Sequence, residues 1–436
     1  MSTASVIETG DDRNLTWANI FTDEKDAPLW EQGMVTLWFL LTFVEFPGTS
    51  PILYLLVLAM VGLFFIDMEK TIPLFFRSLP LFVMPVFGLF SFMWSAHPSA
   101  AIRDGVLLTL TPLTVLVIAN RMDLRHALRC MMFAGWIAAI LVLPNLGSNA
   151  AIVPYGSRNV LAMQMTFMSL LSLTAILNKR EMNWVRMVSV PFVPLGIYLV
   201  IASGSATSLV FAVLGPVALI LAKIFWVDAA RVAHMRTSIL TVFFVLVIGV
   251  LMIVLSMPTN NFEDQFLQLV GRERNLSGRT TIWMAGRVIQ DQHPMFGTGL
   301  AGFWNPENGA AQSINFYDYK PFGTKLTFHN AFMEVRVHLG WIGFWMFVAI
   351  WVWCGFRILK TWLQSHHMEA SMILVAALCA YGSTFTESVM FATFKTPTTL
   401  LYLGAISGMA ASRKRFVGRI PVVVNTETRE LKPLNS

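Results

Sequence analysis

The sequence predicts an all-α, polytopic membrane protein with about twelve transmembrane helices and one large loop domain on the non-cytoplasmic side. Three observations predict this fold: an apolar composition, a series of uncharged segments long enough to cross a bilayer, and basic residues gathered in alternate connections. Of the 436 residues, 56% are hydrophobic and 13% are charged. Soluble domains typically carry about 25% charged residues, so we expect this chain to lie mostly in a membrane.

The uncharged segments locate the helices in chain order. A membrane span needs roughly 17–25 apolar residues, so most of these segments hold one helix each. Segment 187–222 is long enough for two helices, with a turn near the small residues ASGSATS. The segments are 46–66, 78–102, 130–157, 159–178, 187–222, 237–262, 337–356, 370–386 and 396–412, with two shorter candidates at 30–44 and 105–119.

The connections between these segments differ in charge according to the side on which they lie. If the N-terminus is cytoplasmic, almost all basic residues of the short connections fall on the cytoplasmic side, as does the tail SRKRFVGR. The opposite short connections carry only Arg103, Arg158 and Lys395. This bias is the positive-inside rule, and it supports the predicted topology. The net charge of +6 therefore reflects orientation, and nucleic-acid binding is not expected.

The chain is expected to have five parts. Residues 1–29 form a cytoplasmic N-terminal tail, 30–257 hold helices one to nine, 258–328 form the large loop with the catalytic candidates, 329–411 hold helices ten to twelve, and 412–436 form a basic cytoplasmic tail. The acidic stretch before the first apolar segment is unlike the head of a cleavable signal peptide, so the first span is expected to remain in the mature protein.

The large loop 258–328 is rich in aromatic residues, which predicts an ordered structure rather than a linker. Connections of this length are usually either functional or disordered. In TTIWMAGRVIQDQ, Ile282, Ala285, Val288 and Ile289 recur at helical spacing, which predicts an amphipathic helix. The following stretch, HPMFGTGLAGFWNPENG, is broken by Pro and Gly and is expected to be turn-rich.

Four arginines of this loop are candidate anion ligands, because guanidinium groups match phosphate oxygens in bidentate geometry. They are Arg272, Arg274, Arg279 and Arg287. Arg279 is the best placed, since LSGRTTIW puts it at the start of the predicted helix, where backbone N–H groups also favour an anion. The alternative is that these arginines form a solvated face or contact lipid headgroups.

His329 and Asn330 lie where the loop returns to the membrane, in LTFHNAFMEVRVHLGWIGFW. An imidazole there could take a proton from a sugar hydroxyl or bind a phosphate; the alternative is a structural histidine. Glu387 in TESVMF lies at the end of a span, where an acidic group is costly and is expected to be functional or ion-paired. Arg158 is the lone cation of its connection. The His-Glu-x-x-His spacing of a zinc site is absent from the sequence.

Together these pieces resemble a known family. The stretch LSGRTTIWMAGRVIQDQHPMFGTGLAGFW, followed by HNAFMEVRVHLGWIG, resembles the signature region of the O-antigen ligase and O-antigen polymerase superfamily. WSAHPSAAIRDG, GSRNVLAM, SGSATSLV and TESVMF are similar to the exopolysaccharide-polymerase branch, the type that polymerises succinoglycan. The similarity covers roughly residues 75–405, and its pieces lie on one side of the topology derived above.

The resemblance implies a multi-pass enzyme of the bacterial inner membrane with a periplasmic active site. Such enzymes move a glycan from an undecaprenyl-pyrophosphate carrier to an acceptor hydroxyl, without a nucleotide sugar, a cofactor or a required metal. The family's functional arginines and histidine correspond here to Arg279, Arg158 and His329. Many ligase-like relatives have Ser-Arg where this chain has SGSATS, which favours a polymerase and shifts the arginine role to Arg158 or the large loop.

The expected reaction inverts the anomeric carbon, because the acceptor hydroxyl attacks opposite the leaving pyrophosphate. His329 would be the base, with Glu387 or Glu334 as alternatives, and arginines would stabilise the charge on pyrophosphate. The expected pyrophosphate ligands are Arg279, Arg158, Arg287 and Arg274. The expected substrate contacts are Asn330, Trp283, Trp304 and Glu334, with the loop aromatics stacking on sugar rings.

Two other functions remain open at this point. A ligase would use the same donor and transfer the glycan to lipid A-core. A transporter or flippase is disfavoured, because transporters usually place ionisable residues near the bilayer midplane and these charges gather at the rim. The expected partners are the lipid-linked donor, the glycan acceptor and the bilayer, with a chain-length regulator and a flippase as further candidates.

Overall fold

The computed structural model describes residues 27–44, 48–145, 155–232, 234–239, 241–242, 279–317, 319–388, 392–417, 422–424 and 431–433. Before residue 278 the described elements include ten helices: α1 Leu29–Phe43, α2 Ser50–Ile66, α3 Met68–Arg77, α4 Pro80–Phe90, α5 Pro98–Arg121, α6 Leu124–Val142, α7 Arg158–Leu177, α8 Asn183–Ser189, α9 Phe192–Ser203 and α10 Ala206–Ala222. Five follow it: α11 Arg279–Gln292, α12 Gly309–Tyr317, α13 Ala331–Gln364, α14 Met368–Thr384 and α15 Thr396–Val417.

Short elements complete the described residues. Single 3₁₀ turns occupy Ser91–Met93, Leu143–Asn145 and Ala229–Arg231, and a π-helical turn, Lys223–Asp228, extends α10. Near the C-terminus, strand β1 Val422–Val424 pairs antiparallel with strand β2 Leu431–Pro433. This small ribbon was not part of the all-α prediction.

Six helices of the described residues are long and apolar enough to cross a membrane, or seven if the bent pair α2 and α3 forms one span. Of the two shorter predicted positions, 30–44 corresponds to α1 and 105–119 lies within α5. Most of the predicted ninth span, 237–262, lies outside the described residues. The chain is therefore a helical protein with several candidate spans. Twelve spans, and the side on which the large loop lies, stay predictions.

The helix boundaries follow local sequence. Asp123, Ser157 and Asn330 each precede a helix and accept a hydrogen bond from a backbone N–H of its first turn, at 2.9, 3.2 and 3.1 Å, which satisfies donors that the helix leaves unpaired. Gly204, with φ of 73°, ends α9, so the predicted turn in 187–222 is observed. Because α5 begins at Pro98, Arg103 and Asp104 lie inside this helix and pair at 3.1 Å.

Two cations predicted in a loop lie inside the first turns of α6, which begins earlier than the uncharged segment suggested. The buried Arg129 pairs with Glu181 at 2.5 Å, and Arg125 donates to the carbonyl oxygen of Arg180 at 2.7 Å. A search for uncharged segments stops at such residues and therefore places the start of the helix too late. Partners from the connection between α7 and α8 offset their burial, so the helix continues through them.

The core of the bundle lies around α5, α6, α7 and α15, whose inward faces are buried. Helix α7 contacts α6, α9, α10 and α14. At Gly196 the approach of α9 to α7 is so close that a Cβ there would lie 2.9 Å from the backbone oxygen of Met165. Small residues allow such close packing between membrane helices. On the outer face of the bundle, residues such as Ile201, Leu214 and Trp345 are exposed, as expected against lipid.

Residues 279–328 form a compact unit against the start of α13. The predicted amphipathic helix is α11, and the turn-rich stretch follows it. The unit has its own apolar core, formed by Ile282, Phe303, Trp304, Ala311, Phe328 and Val337. Val288, predicted on the apolar face, is exposed instead, because the packed face of α11 runs through Ile282, Gly286 and Gln290.

The unit 279–328 contacts α13 at Gly340, where the helix is interrupted. Gly340 has φ of 63° and ψ of −161° inside α13, a conformation almost restricted to glycine. The broken turn receives the loop: Trp341 N–H donates to the Pro294 oxygen at 2.9 Å, and Gly299 N–H donates to the His338 oxygen at 2.8 Å. A Cβ at Gly340 would lie 2.2 Å from the Met295 oxygen. This contact explains why the first glycine of the HLGWIG motif, Gly340, has no room for a side chain.

Candidate active site

The carboxylate of Glu387 contacts three polar side chains from distant parts of the sequence. Its Oε1 accepts hydrogen bonds from Asn159 Nδ2 at 2.6 Å and from Arg279 Nη2 at 3.1 Å. Its Oε2 lies 3.0 Å from His329 Nδ1. Four separate segments therefore meet here: the start of α7, the start of α11, the residue before the N-cap of α13, and the turn after α14. We call Asn159, Arg279, His329 and Glu387 the Glu387 cluster.

Local backbone structure fixes the central carboxylate. Helix α14 ends at Thr384, and the N–H of Glu387 donates to the carbonyl oxygen of Ser383 at 2.7 Å. This turn aims the side chain at the starts of α7 and α11 rather than toward the outside of the bundle. Glu387 and Arg279 each have 13% of their side-chain surface exposed. At that burial an ion pair is screened less by water than a surface pair.

The backbone at His329 adopts an uncommon conformation. Its φ is 49°, in the left-handed region that few residues other than glycine occupy. The next residue, Asn330, caps α13 through Met333 N–H and donates to the Phe385 oxygen at 3.4 Å. With Nδ1 facing the carboxylate, His329 donates a hydrogen bond there and presents Nε2 as the basic nitrogen. The imidazole is 30% exposed, more than its partner carboxylate.

Arg279 keeps capacity for an anionic ligand. A guanidinium carries five N–H donors, and the contact with Glu387 uses one of its nitrogens. As the first residue of α11, Arg279 lies where the positive end of a helix dipole adds to its own charge. The cluster therefore combines a fixed cation, a carboxylate and an imidazole whose base nitrogen faces away from that carboxylate.

Asn159 belongs to the Glu387 cluster and was not among the residues singled out from the sequence. The motif SRNVLAM drew attention to its neighbour, Arg158, as a lone cation. Asn159 faces the carboxylate, whereas Arg158 is exposed. The available signal was the position, since a polar amide in the first turn of a membrane helix needs a partner.

Glu334, predicted as a substrate contact and alternative base, lies in a second, buried cluster. Its carboxylate accepts from Trp304 Nε1 at 3.0 Å, from Phe328 N–H at 2.8 Å and from Ser388 Oγ at 3.0 Å. His338 Nε2 lies 3.2 Å from the same carboxylate. With its oxygens already bonded and the residue only 6% exposed, Glu334 is placed to hold the unit 279–328 onto the bundle.

A cavity of about 480 Å³ lies beside both clusters. Ser388 and Thr327, each close in sequence to a member of the Glu387 cluster, line it together with Glu334, Arg103 and Lys325. The volume falls within the roughly 300–1,000 Å³ typical of small-ligand sites. Trp304 is buried in the core of the unit 279–328, and part of it lines this cavity. A sugar that stacks on Trp304 would therefore have to lie in the cavity.

The remaining predicted site residues lie at different distances from the cluster. Trp283 donates from Nε1 to the Phe328 oxygen at 2.7 Å, which fixes α11 against the loop before His329. Arg287 is exposed on α11, two helical turns or about 12 Å beyond Arg279. Arg274 lies outside the described residues. Within the described ranges, no group of three or more His, Cys, Asp or Glu side chains is arranged to bind a metal ion.

Comparison with known proteins supports the resemblance seen in the motifs. Residues 191–348 match the family model described as O-Antigen ligase. The chain is also 24% identical, over 360 residues, to the exopolysaccharide production protein ExoQ of Rhizobium meliloti (strain 1021). That alignment covers 78% of this chain and 79% of the relative. The predicted similarity to the O-antigen ligase family is thereby confirmed, together with similarity to an exopolysaccharide production protein.

Proposed function

We propose that this chain is a bacterial polysaccharide polymerase. It transfers a glycan from an undecaprenyl-pyrophosphate carrier to a hydroxyl of another lipid-linked repeat unit, with inversion and without a metal. The observation that carries the proposal is the contact of Glu387 with both Arg279 and His329. An arginine, which suits phosphate oxygens, and a candidate base contact one carboxylate, in a chain similar to a protein named for exopolysaccharide production.

In the proposed step, the bond between the anomeric carbon and the pyrophosphate oxygen breaks as the acceptor oxygen bonds to that carbon. Arg279 stabilises the negative charge that develops on the leaving pyrophosphate. His329 takes the acceptor proton on Nε2, while Glu387 holds Nδ1–H and so fixes the tautomer and the ring orientation. The cavity beside the cluster would receive the sugar part of a substrate, with Lys325 and Arg103 on its wall.

The topology belongs to the same proposal. The Glu387 cluster would face the periplasm, both termini would be cytoplasmic, and the chain would lie in the inner membrane. Single cysteines introduced beside the cluster and beside the C-terminal tail, labelled from outside with an impermeant maleimide, test this orientation. Labelling of the tail position, or protection of the cluster position, would contradict it.

The enzymatic proposal is tested with purified protein, a synthetic undecaprenyl-pyrophosphate oligosaccharide and sizing of the products. Loss of one preorganised donor to a developing charge costs about 10²–10³ in rate, so Arg279→Ala and His329→Ala are each expected to lose at least about a hundredfold. Lys320→Ala, which removes an exposed cation of the same unit 279–328, is the matched control and should stay near the wild-type rate. Wild-type activity in either cluster variant would remove that residue from the mechanism.

A ligase is the second candidate, favoured by the match of residues 191–348 to the O-Antigen ligase family. The two functions differ in the acceptor and therefore in what a deletion strain accumulates. Loss of a polymerase leaves single repeat units on the carrier, whereas loss of a ligase leaves long carrier-linked chains. The second result would replace the polymerase proposal and keep the donor chemistry.

A further inference from the structure

A second cavity, of about 310 Å³, lies at the opposite end of the bundle from the Glu387 cluster. Helix α7 has 20 residues and is therefore about 30 Å long. Asn159, in its first turn, contacts Glu387, while the residues that follow its last turn line this cavity. The ionisable residues of the lining are Lys179, Arg180, Lys223, Asp228, His366 and His367.

The lining carries an excess of positive charge. Three lysine or arginine side chains face one carboxylate, and that carboxylate, Asp228, already pairs with Lys223 at 2.7 Å. Glu369 lies just behind the wall, with its carboxylate 3.9 Å from Arg180 Nη1, and Arg236 adds a further cation nearby. In and beside the cavity, four cations against two carboxylates leave a net positive charge that suits an anion. Lys179, the outermost of them, is exposed.

Residues next to the lining make contacts that support the walls of the cavity. Trp226 stacks on Trp362 with ring centroids 4.0 Å apart and donates from Nε1 to the Trp362 oxygen at 3.1 Å. Arg236 lies over the Trp226 ring, 4.3 Å from its centroid, and donates from Nη2 to the Ser365 oxygen at 2.9 Å. Rigid walls reduce the entropy lost when a ligand binds.

Two features of the lining point to a missing partner. The buried Nδ1 of His366 has no hydrogen-bond partner among the described residues, although buried polar atoms almost always have one. The π-helical turn Lys223–Asp228 is the other feature, because π-helical turns are rare and occur frequently at functional sites. Burial, and then the charges of Arg236 and His367, lower the pKa of His366. Of these causes, only the charges of Arg236 and His367 reflect a local positive potential.

We propose that this cavity binds a phosphate group, carried by an anionic phospholipid or free in solution. Guanidinium and ammonium donors on a fixed wall suit phosphate oxygens. Basic pockets between membrane helices bind lipid headgroups in the same way. The volume lies at the lower end of the range for small-ligand sites, about 300–1,000 Å³. The inference is independent of the polymerase proposal, because it uses none of the residues of the Glu387 cluster.

Native mass spectrometry of the purified full-length protein, in mixed micelles with phosphatidylglycerol or phosphatidylcholine, tests the proposal. Each lost charged partner is expected to weaken binding about tenfold or more, so Lys179→Gln/Lys223→Gln should lose most of the retained phosphatidylglycerol. The matched control Lys70→Gln/Lys360→Gln removes the same charge outside the cavity lining and should retain it. Competition by inorganic phosphate would identify a site for the phosphate group itself; persistence of the lipid would identify the whole headgroup as the ligand.

Two results would overturn the proposal. One is an equal loss of lipid in both double variants, which would reduce the effect to general surface charge. The other is a wild-type protein that neither prefers phosphatidylglycerol nor gains thermal stability with inorganic phosphate. Since Lys223→Gln removes the pair with Asp228 and could disturb folding, the single variant Lys179→Gln is measured as well. Lys179 is exposed, so this variant should fold normally and still bind lipid about tenfold more weakly.

Discussion

Glu387→Gln is the most informative perturbation of the proposed active site. The substitution keeps the size of the side chain and removes its charge. Its carbonyl oxygen can still accept from Arg279 or Asn159, but the amide group then presents N–H to His329. An imidazole facing a donor must accept on Nδ1, which puts the proton on Nε2 and removes the basic nitrogen. The variant should therefore fold and bind donor while losing the proton-transfer function.

The magnitude follows from the two bonds that the carboxylate makes to ionisable groups, at 3.1 Å to Arg279 and 3.0 Å to His329. A hydrogen bond to a charged group contributes about 1.5–3 kcal/mol. Two such bonds amount to roughly 3–6 kcal/mol, or about 10²–10⁴ in rate at about 1.36 kcal/mol per tenfold. The amide retains part of the contact with Arg279, so we expect the lower half of that range.

The assay is the initial rate of product elongation by purified protein, at saturating synthetic donor. Glu307→Gln is the matched control, since its carboxylate is 80% exposed and lies 3.5 Å from His97. Adding Glu387→Gln to His329→Ala should cost much less than Glu387→Gln costs alone, because the carboxylate acts largely through the imidazole. A Glu387→Gln enzyme within about threefold of wild type, less than 1 kcal/mol in barrier, would refute the orienting role.

Three further changes test other parts of the structure. Gly340→Ala places a Cβ 2.2 Å from a backbone oxygen, at φ of 63°. It should therefore lower the melting temperature in detergent by an amount equivalent to about 1–3 kcal/mol or more. The control Gly62→Ala, on an open helix face, should leave the melting temperature unchanged. Asn159→Ala removes one amide donor to the carboxylate of Glu387 and should slow elongation up to about tenfold. The control Asn305→Ala, outside the Glu387 cluster, should keep the wild-type rate. A wild-type rate for Asn159→Ala would mean that this amide has only a structural role. Burial raises the pKa of Asp123, but hydrogen bonds from the side chain and backbone of His126 outweigh it, so the pKa lies below the ordinary 3.8. A depressed folded-state pKa gives stability that is present above about pH 4 and lost as the pH falls through the folded value; the wild-type melting advantage over Asp123→Asn should therefore shrink on acidification, and an advantage independent of pH would contradict this.

The helical architecture could be predicted from the sequence because spans depend on local composition. Most uncharged segments hold a helix where the structure describes them, although 78–102 is divided between α4 and the start of α5. Gly204 ends α9 inside the segment predicted to hold two helices. Boundaries were less accurate where buried cations occur. Helix α6 begins before Arg125 and Arg129, because a residue from another connection neutralises Arg129, and such a partner is invisible to a local charge count.

Candidate site residues could be chosen from the sequence by type and position along the chain, but their contacts could not be predicted. Arg279, His329 and Glu387 stood out from the sequence as a cation at a helix start, an imidazole at a membrane rim and a carboxylate at a span end. Glu334 stood out for similar reasons, and the fold instead buries it among Trp304, Phe328 and Ser388. Asn159 was missed, because an amide acquires significance only from the group that it faces.

The sequence by itself determined where the chain is helical, which end of each helix carries charge, and which family it resembles. Only the tertiary structure decided that positions 159, 279 and 329 meet at Glu387, across sequence separations of 228, 108 and 58 residues. The physical reason is the range of the forces involved. Helix formation in an apolar environment depends on neighbouring residues, whereas the assembly of a polar cluster depends on how whole helices pack.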